Sequence, residues 1–313
     1  MFTNKPRTVI VFPDSYSQVD HLEFLRNENL EFSTFSTVKR PNQQKKILWT
    51  HIRNISESEL RSFANLRYIV SPTTSCTHLP LGFIEESEIT LLSLRNESDF
   101  MESIRATPDF TFSVCLSLWH NLQIHSTSRG DYDRPQLQNA KVGIIGFGRV
   151  GKRVANYFNA MGCSVNFFDI LPRKSTFASP KDLKWLVTNS DILILSASSN
   201  DTRSKILSRK VLETCKEGQI IVNTSRGHLL DELAVIDLLL SNRLRSAWLD
   251  VLEEEELHQS KKRVSLLELP KVQSLISEGK LNITPHAAGM CAQDLRACEI
   301  YLGNKLKNLL DID

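Results

Sequence analysis

No run of about twenty uninterrupted apolar residues occurs in this 313-residue chain, so no segment is expected to cross a bilayer as a helix. The first apolar stretch, Val9 to Phe12, is too short for a signal-peptide core, and the expected location is the cytoplasm. A surplus of either charge is also missing: 38 Lys plus Arg face 36 Asp plus Glu, a formal net charge of +2. That balance attracts neither nucleic acid nor an anionic membrane surface, which leaves a small molecule as the expected partner. Six cysteines are present (Cys76, Cys115, Cys163, Cys215, Cys291 and Cys298), but none lies in a CxxC spacing and no HxxxH accompanies them. A structural zinc site and a disulfide framework are thereby excluded, and no metal is expected. Internal repeats and low-complexity tracts are absent too; only a short acid run, Glu253–Glu256, stands out.

What the chain does have is length enough for two medium-sized lobes, each able to bury a core. Apolar, β-branched runs at Thr8–Phe12, Lys46–Trp49, Tyr68–Val70 and Ile89–Leu92 read as strands, with amphipathic segments such as Ser56–Phe63 between them. Thr111–Asn121 is a dense apolar stretch of helix length following Pro108 and Asp109, suited to linking the lobes. A polar loop, Ser126 to Asn139, precedes a second series of strands at Lys141–Ile145, Ser164–Phe168, Ile192–Leu195, Ile220–Val222, Ala247–Leu249 and Leu281–Ile283. Helical patterns at Arg149–Met161, Leu183–Thr188, Arg209–Lys216 and Asp231–Leu240 alternate with them, the sequence form of a doubly wound parallel sheet.

The strand at Lys141–Ile145 runs into Gly146-Phe147-Gly148-Arg149-Val150-Gly151, a GxGxxG pattern that opens a helix. Gly146 permits the tight turn, Gly148 lets backbone approach a pyrophosphate, and Gly151 lets helix and strand pack closely. The helix start at Arg149 and Val150 turns N–H groups and positive dipole toward the anion. Asp169 ends the next strand at the offset expected of a ribose-binding acid, and its charge repels a 2′-phosphate. The expected cofactor is NAD rather than NADP, although Arg173 lies close behind the acid.

Hydride transfer to a 2-oxo acid requires a cation for the carboxylate and carbonyl, and a group that shuttles the hydroxyl proton. Arg226 follows the strand ending at Val222, Glu255 the strand ending at Leu249, and His286 the strand ending at Ile283. Residues just beyond the carboxyl ends of parallel strands converge on the ligand crevice. Arg226 offers a planar fork for a carboxylate; histidine is the side chain suited to giving and taking a proton at physiological pH, and a carboxylate such as Glu255 beside His286 would stabilise the imidazolium.

The segments VGIIGFGRVGKRVA (142–155), VNTSRGHLLDELAV (222–235), LDVLEEEEL (249–257) and TPHAAG (284–289) resemble the D-isomer-specific 2-hydroxyacid dehydrogenases. Weaker similarity runs through YIVSPTTSCTHL (68–79), ITLLSLRNES (89–98) and ATPDFTFSVCLSL (106–118). The resemblance implies two doubly wound parallel-sheet domains, Rossmann-like and flavodoxin-like, with the active site in the cleft between them. Residues 1–118 with 287–313 would form the substrate domain and 119–286 the NAD-binding domain. It implies further that Arg226 binds substrate carboxylate, that His286 is the acid/base paired with Glu255, and that Thr224 and Asp250 contact the cofactor, Asp250 at the nicotinamide carboxamide. Substrate contacts would come from Ser75, Cys76 and Asn96, and the protein would be a homodimer.

The chain departs from the family pattern in several places. Ser75 and Cys76 occupy a loop that usually contains glycine, Glu256 stands where proline usually follows the catalytic glutamate, and Asp109-Phe110 replaces Glu-His. Ser196–Thr202 lacks the usual His and Pro, and Lys261–Lys280 looks like an insertion. Two other readings therefore stay open: a catalytically inactive NAD(H)-binding sensing module of the same fold, and a related dehydrogenase of another small acid such as formate or phosphite.

Overall fold

Strands β1 (Thr8–Phe12) and β3 (Lys46–Trp49) carry side chains that are buried almost without interruption, a pattern expected of strands covered on both faces. They pair in parallel, and with β2 (Leu30–Thr34), β4 (Leu66–Ser71) and β5 (Thr90–Ser93) they form a parallel sheet of order β2-β1-β3-β4-β5. That is the flavodoxin-like order. The computed structural model describes residues 8–12, 14, 20–25, 30–37, 46–51, 53–63, 65–76, 78–122, 135–198, 204–253 and 266–310. They divide into two units, Met1–Ile104 with Cys291–Asp313, and Arg105–Met290.

In the first unit, helix α1 (Glu57–Arg61) starts where the Ser56 hydroxyl accepts from the Glu59 N–H, and α2 (Leu81–Glu85) and α3 (Ser98–Met101) follow β4 and β5. Strand β2 was not expected from the sequence. It is an edge strand whose residues beyond Leu30 are exposed or half-buried, so it lacks the apolar run that marks the others. The C-terminal segment, which carried no helical expectation, is a 19-residue helix, Ala292–Leu310. It buries Cys298, Leu302 and Leu306 against Ile10, Ile47, Trp49 and Val70.

That helix also carries Glu299 to His21 Nε2 in the 3-10 turn Asp20–Leu25, both side chains nearly covered. Burial raises Glu299 from its ordinary 4.5 to about 7. The folded chain holds a proton there that the unfolded chain has already released, so stability falls as pH rises toward and through 7. A lower Tm is expected near pH 8 than near pH 6, and Glu299→Gln should flatten the difference; an unchanged slope in that variant would assign the effect to other groups.

The second unit holds β6 (Lys141–Ile145), β7 (Ser164–Phe168), β8 (Ser179–Pro180), β9 (Ile192–Leu195), β10 (Gln219–Asn223), β11 (Leu244–Leu249) and β12 (Leu281–Ile283). All pair in parallel, in the order β12-β11-β10-β9-β6-β7-β8. Order reverses beside β6, and in doubly wound sheets the ligand crevice opens at such a reversal, outside the strands' carboxyl ends. Helix α4 (Ala106–Trp119) belongs to this unit and begins earlier than expected, with Pro108 in its first turn, where the missing N–H costs no helical bond. Arg245 on β11 ties α4 down by donating to the carbonyls of Leu118 and Trp119 at 2.5 and 2.7 Å.

Helices α5 (Arg149–Ala160), α6 (Leu183–Asn189), α7 (Arg209–Leu212) and α8 (Glu232–Leu240) match the helical patterns, α7 being shorter than its pattern. The segment resembling an insertion supplies, from Leu266 onward, a 3-10 turn and helix α9 (Pro270–Ser277). Leu266, Val272 and Leu275 join the core around Leu244 and Leu281, so this stretch is the crossover that parallel β11 and β12 require. Among the described residues no helix is long and apolar enough to cross a membrane.

Candidate functional site

The glycine turn after β6 is built by close backbone approaches. Gly146 has φ +92°, and a Cβ there would lie 2.5 Å from the Ala197 backbone. At Gly151 a Cβ would overlap the carbonyl oxygen of Gly146 and press on the Ser196 hydroxyl, which itself donates to that carbonyl at 2.8 Å. Gly148 differs: no atom lies within 4 Å of where its Cβ would stand. It is the N-cap of α5 and no side chain caps that helix, so there is room beside Gly148 at a helix N-terminus, where an anion is favoured. The residues present therefore fit a pyrophosphate group.

Asp169, just past β7, accepts hydrogen bonds from the N–H groups of Phe147 (2.7 Å) and Leu171 (2.8 Å), which fixes the carboxylate against the glycine turn. A carboxylate has about four lone-pair sites, so acceptor capacity remains for ribose hydroxyls. The Arg173 guanidinium lies 4.0 Å from it, close enough to interact through charge but beyond hydrogen-bond reach.

Beyond β10, the buried side chain of Asn223 folds the turn that carries Thr224, Ser225 and Arg226. Its Oδ1 accepts from the Ser225 N–H and hydroxyl at 3.1 and 2.9 Å, and its Nδ2 donates to the Arg226 carbonyl at 3.0 Å. Sequence reasoning missed Asn223, although an Asn at a turn that bonds the backbone two residues on is a recognisable signal. Thr224 is buried with its hydroxyl 2.7 Å from that of Thr111 on α4. Arg226 is half-buried and spends one N–H on the Ser225 carbonyl at 2.6 Å, four of its five donors remaining.

Asp250 follows β11 and its N–H donates to the Asn223 carbonyl at 2.9 Å, while its own carbonyl accepts from the His286 N–H at 2.8 Å. The turn bearing Arg226 and the loop bearing His286 are thus hydrogen-bonded to one residue. The Asp250 carboxylate, expected at the nicotinamide carboxamide, is 0% exposed and accepts from the Thr284 hydroxyl (2.5 Å) and the N–H groups of Ala287 (2.8 Å) and Ala288 (2.9 Å). One lone pair on Oδ2 is left. His286 is exposed and sits at φ +53°, the left-handed region that non-glycine residues seldom adopt.

Glu255 lies outside the described residues. The chain leading to it is held at Glu253, whose N–H donates to the buried Glu232 carboxylate at 2.6 Å and whose own carboxylate meets Lys205 at 2.8 Å. Gly227 lets the Arg226 turn lie directly on the Leu252 and Glu253 backbone, where any Cβ would overlap.

In the first unit, Ser75 is half-buried, Cys76 buried and Asn96 exposed. Cys76 stands at φ +52° with its thiol turned inward toward Thr73, and the residue is fully buried. The loop leans on a hydroxyl and imidazole group that sequence reasoning passed over: Ser71 Oγ lies 3.2 Å from His78 Nε2 and 3.0 Å from Thr73 Oγ1. Burial, reinforced by His51, pushes His78 down to about 4, so this imidazole is neutral at pH 7.

Residues 110–288, more than half of the chain, match the family model described as D-isomer specific 2-hydroxyacid dehydrogenase, NAD binding domain. A D-specific alpha-keto acid dehydrogenase of Enterococcus faecium is 28% identical over 279 residues, covering 84% of this chain and 81% of that protein. A 2-ketogluconate reductase of Gluconobacter oxydans is 36% identical over 120 residues, 38% of this chain and 39% of that one. The fold matches D-lactate dehydrogenase from Aquifex aeolicus with a TM-score of 0.77 at 21% identity, covering 97% of this chain and 96% of that structure. With the glycine turn, Asp169 and a seven-stranded parallel sheet beneath them, the chain belongs to the D-isomer specific 2-hydroxyacid dehydrogenases, NAD-dependent oxidoreductases.

Proposed function

We propose that the protein reduces a 2-oxo acid to its D-2-hydroxy acid, and catalyses the reverse, with the unit of residues 1–104 and 291–313, rather than the expected 1–118 and 287–313, serving substrate and that of residues 105–290 serving NAD. When bound, the cofactor supplies or accepts the hydride. Arg226 holds the substrate carboxylate in its fork and draws electron density from the reacting carbonyl. His286 gives its proton to the carbonyl oxygen in reduction and takes it back from the hydroxyl in oxidation, and Glu255 stabilises the imidazolium between those events. Asp169 accepts from the ribose hydroxyls, Gly146, Gly148, Arg149, Val150 and Gly151 surround the pyrophosphate, and Thr224 and the remaining lone pair of Asp250 serve the nicotinamide end. Backbone N–H groups at Ser75 and Cys76, with Asn96, take up the substrate.

The observation carrying this reading is the hydrogen-bonded attachment of both the Arg226 turn and the His286 loop to Asp250, at the carboxyl ends of adjacent strands. The names of the relatives support a 2-oxo acid as substrate. The protein is expected to act in the cytoplasm as a homodimer. NADH oxidation at 340 nm against pyruvate, hydroxypyruvate, glyoxylate, 4-methyl-2-oxopentanoate and 2-ketogluconate tests the proposal. Turnover with at least one acid is expected; NADH binding without turnover on any would favour the sensing module instead.

A further inference from the structure

Register places β12 beside β11 with Trp248 opposite Asn282 and Leu249 opposite Ile283, so Asp250 meets Thr284 just beyond both strands. The Thr284 N–H donates to the Leu249 carbonyl at 3.1 Å, and its hydroxyl is shared between two groups of β11 and its extension: the Trp248 indole at 3.0 Å and the Asp250 carboxylate at 2.5 Å. An indole N–H only donates and a hydroxyl has one proton. The direction is therefore forced: Trp248 Nε1–H donates to Thr284, and Thr284 donates to Asp250. Trp248 is steadied in turn by an edge-to-face contact with Phe110 on α4, ring centroids 6.1 Å apart. Two further acceptor positions of Asp250 hold the N–H groups of Ala287 and Ala288, so the donors to this buried charge flank His286 on both sides.

We propose that Trp248, Thr284 and Asp250 form a clamp that holds the backbone of His286 in its left-handed conformation and so sets the direction of the imidazole. Thr284 and Trp248 are then positioning residues for proton transfer, an assignment that rests on His286 being the acid/base. A left-handed histidine persists only where its surroundings over-determine it. Three charge-assisted hydrogen bonds to one buried carboxylate do so here, and of their donors the Thr284 hydroxyl is the one that also accepts from Trp248 on β11.

The test uses the full chain with Thr284→Val, Thr284→Ser and Trp248→Phe. The imidazole signals of His286, identified by their loss in His286→Gln, read the clamp by NMR without turnover. One narrow set is expected in wild type and Thr284→Ser, and broadened or multiple signals in Thr284→Val, with Trp248→Phe between them. With the best 2-oxo acid of the panel, Thr284→Val should lose about tenfold to a hundredfold in kcat and alter the pH profile, while NADH affinity stays and Thr284→Ser recovers most of the rate. Unchanged His286 signals in Thr284→Val overturn the clamp, as does a wild-type kcat and pH profile in that variant. A wild type that fails on every acid while Thr284→Val still disturbs His286 sinks the catalytic reading and leaves the clamp.

Discussion

His286→Gln should bind NADH as wild type does and lose about 10²–10⁴-fold in kcat, the usual worth of a positioned acid/base. Gln can keep a hydrogen bond but cannot exchange a proton near neutral pH, so the loss isolates proton transfer. The substitution leaves alone the bonds that hold the loop, which run from backbone and from Thr284 to Asp250. Arg226→Lys should behave differently. A point charge replaces a fork, and the substrate KM should rise about tenfold or more alongside a fall in kcat, because the carboxylate loses bidentate binding. Steady-state kinetics beside a fluorescence titration with NADH separates the two. Should His286→Gln retain more than about a tenth of wild-type kcat, another group handles the proton and the role assigned here is wrong.

The second large effect divides the glycines. Gly151→Ala forces a Cβ into the Gly146 carbonyl, and Gly227→Ala forces one into the Leu252 and Glu253 backbone. Neither neighbour is a side chain that can swing away, so each is expected to cost about 3–5 kcal/mol of stability or to prevent folding. Gly148→Ala meets nothing within 4 Å, and its backbone, at φ −80° and ψ −161°, suits any residue. Its stability should stay within about 1 kcal/mol of wild type. NADH affinity should nonetheless fall about tenfold or more, because the new methyl group stands where the pyrophosphate approaches. Urea denaturation and NADH titration on the three variants give the pattern directly. A stable Gly148→Ala with unaltered NADH affinity would remove the pyrophosphate from this turn.

The turn was legible in advance because each requirement is local: a tight bend, an open N-terminus and an acid one strand later are set by residues within about two dozen positions of one another. The strands of the buried parallel sheets were legible for a related reason. Burial on both faces demands unbroken apolar runs, and Thr8–Phe12, Lys141–Ile145 and Ile192–Leu195 appear in the structure with the bounds their composition suggested. Edge strand β2 has one exposed side and so no such run. The C-terminal helix mixes charged and apolar residues and takes its place through contacts with the first sheet.

The sequence by itself determined the two-series alternation of strands and helices, the dinucleotide turn, and the positions of Arg226 and His286 just past strand ends, since backbone freedom and apolar periodicity are properties of neighbouring residues. Only the tertiary structure decided that α4 lies with the second sheet, that Asn223 shapes the Arg226 turn, and that Asp250, Thr284 and Trp248 meet around His286. Asp250 and Thr284 are separated by 34 positions in the chain. Their contact follows from the parallel register of β11 and β12, which depends on the crossover through α9 and on the packing of Leu266, Val272 and Leu275 into the core.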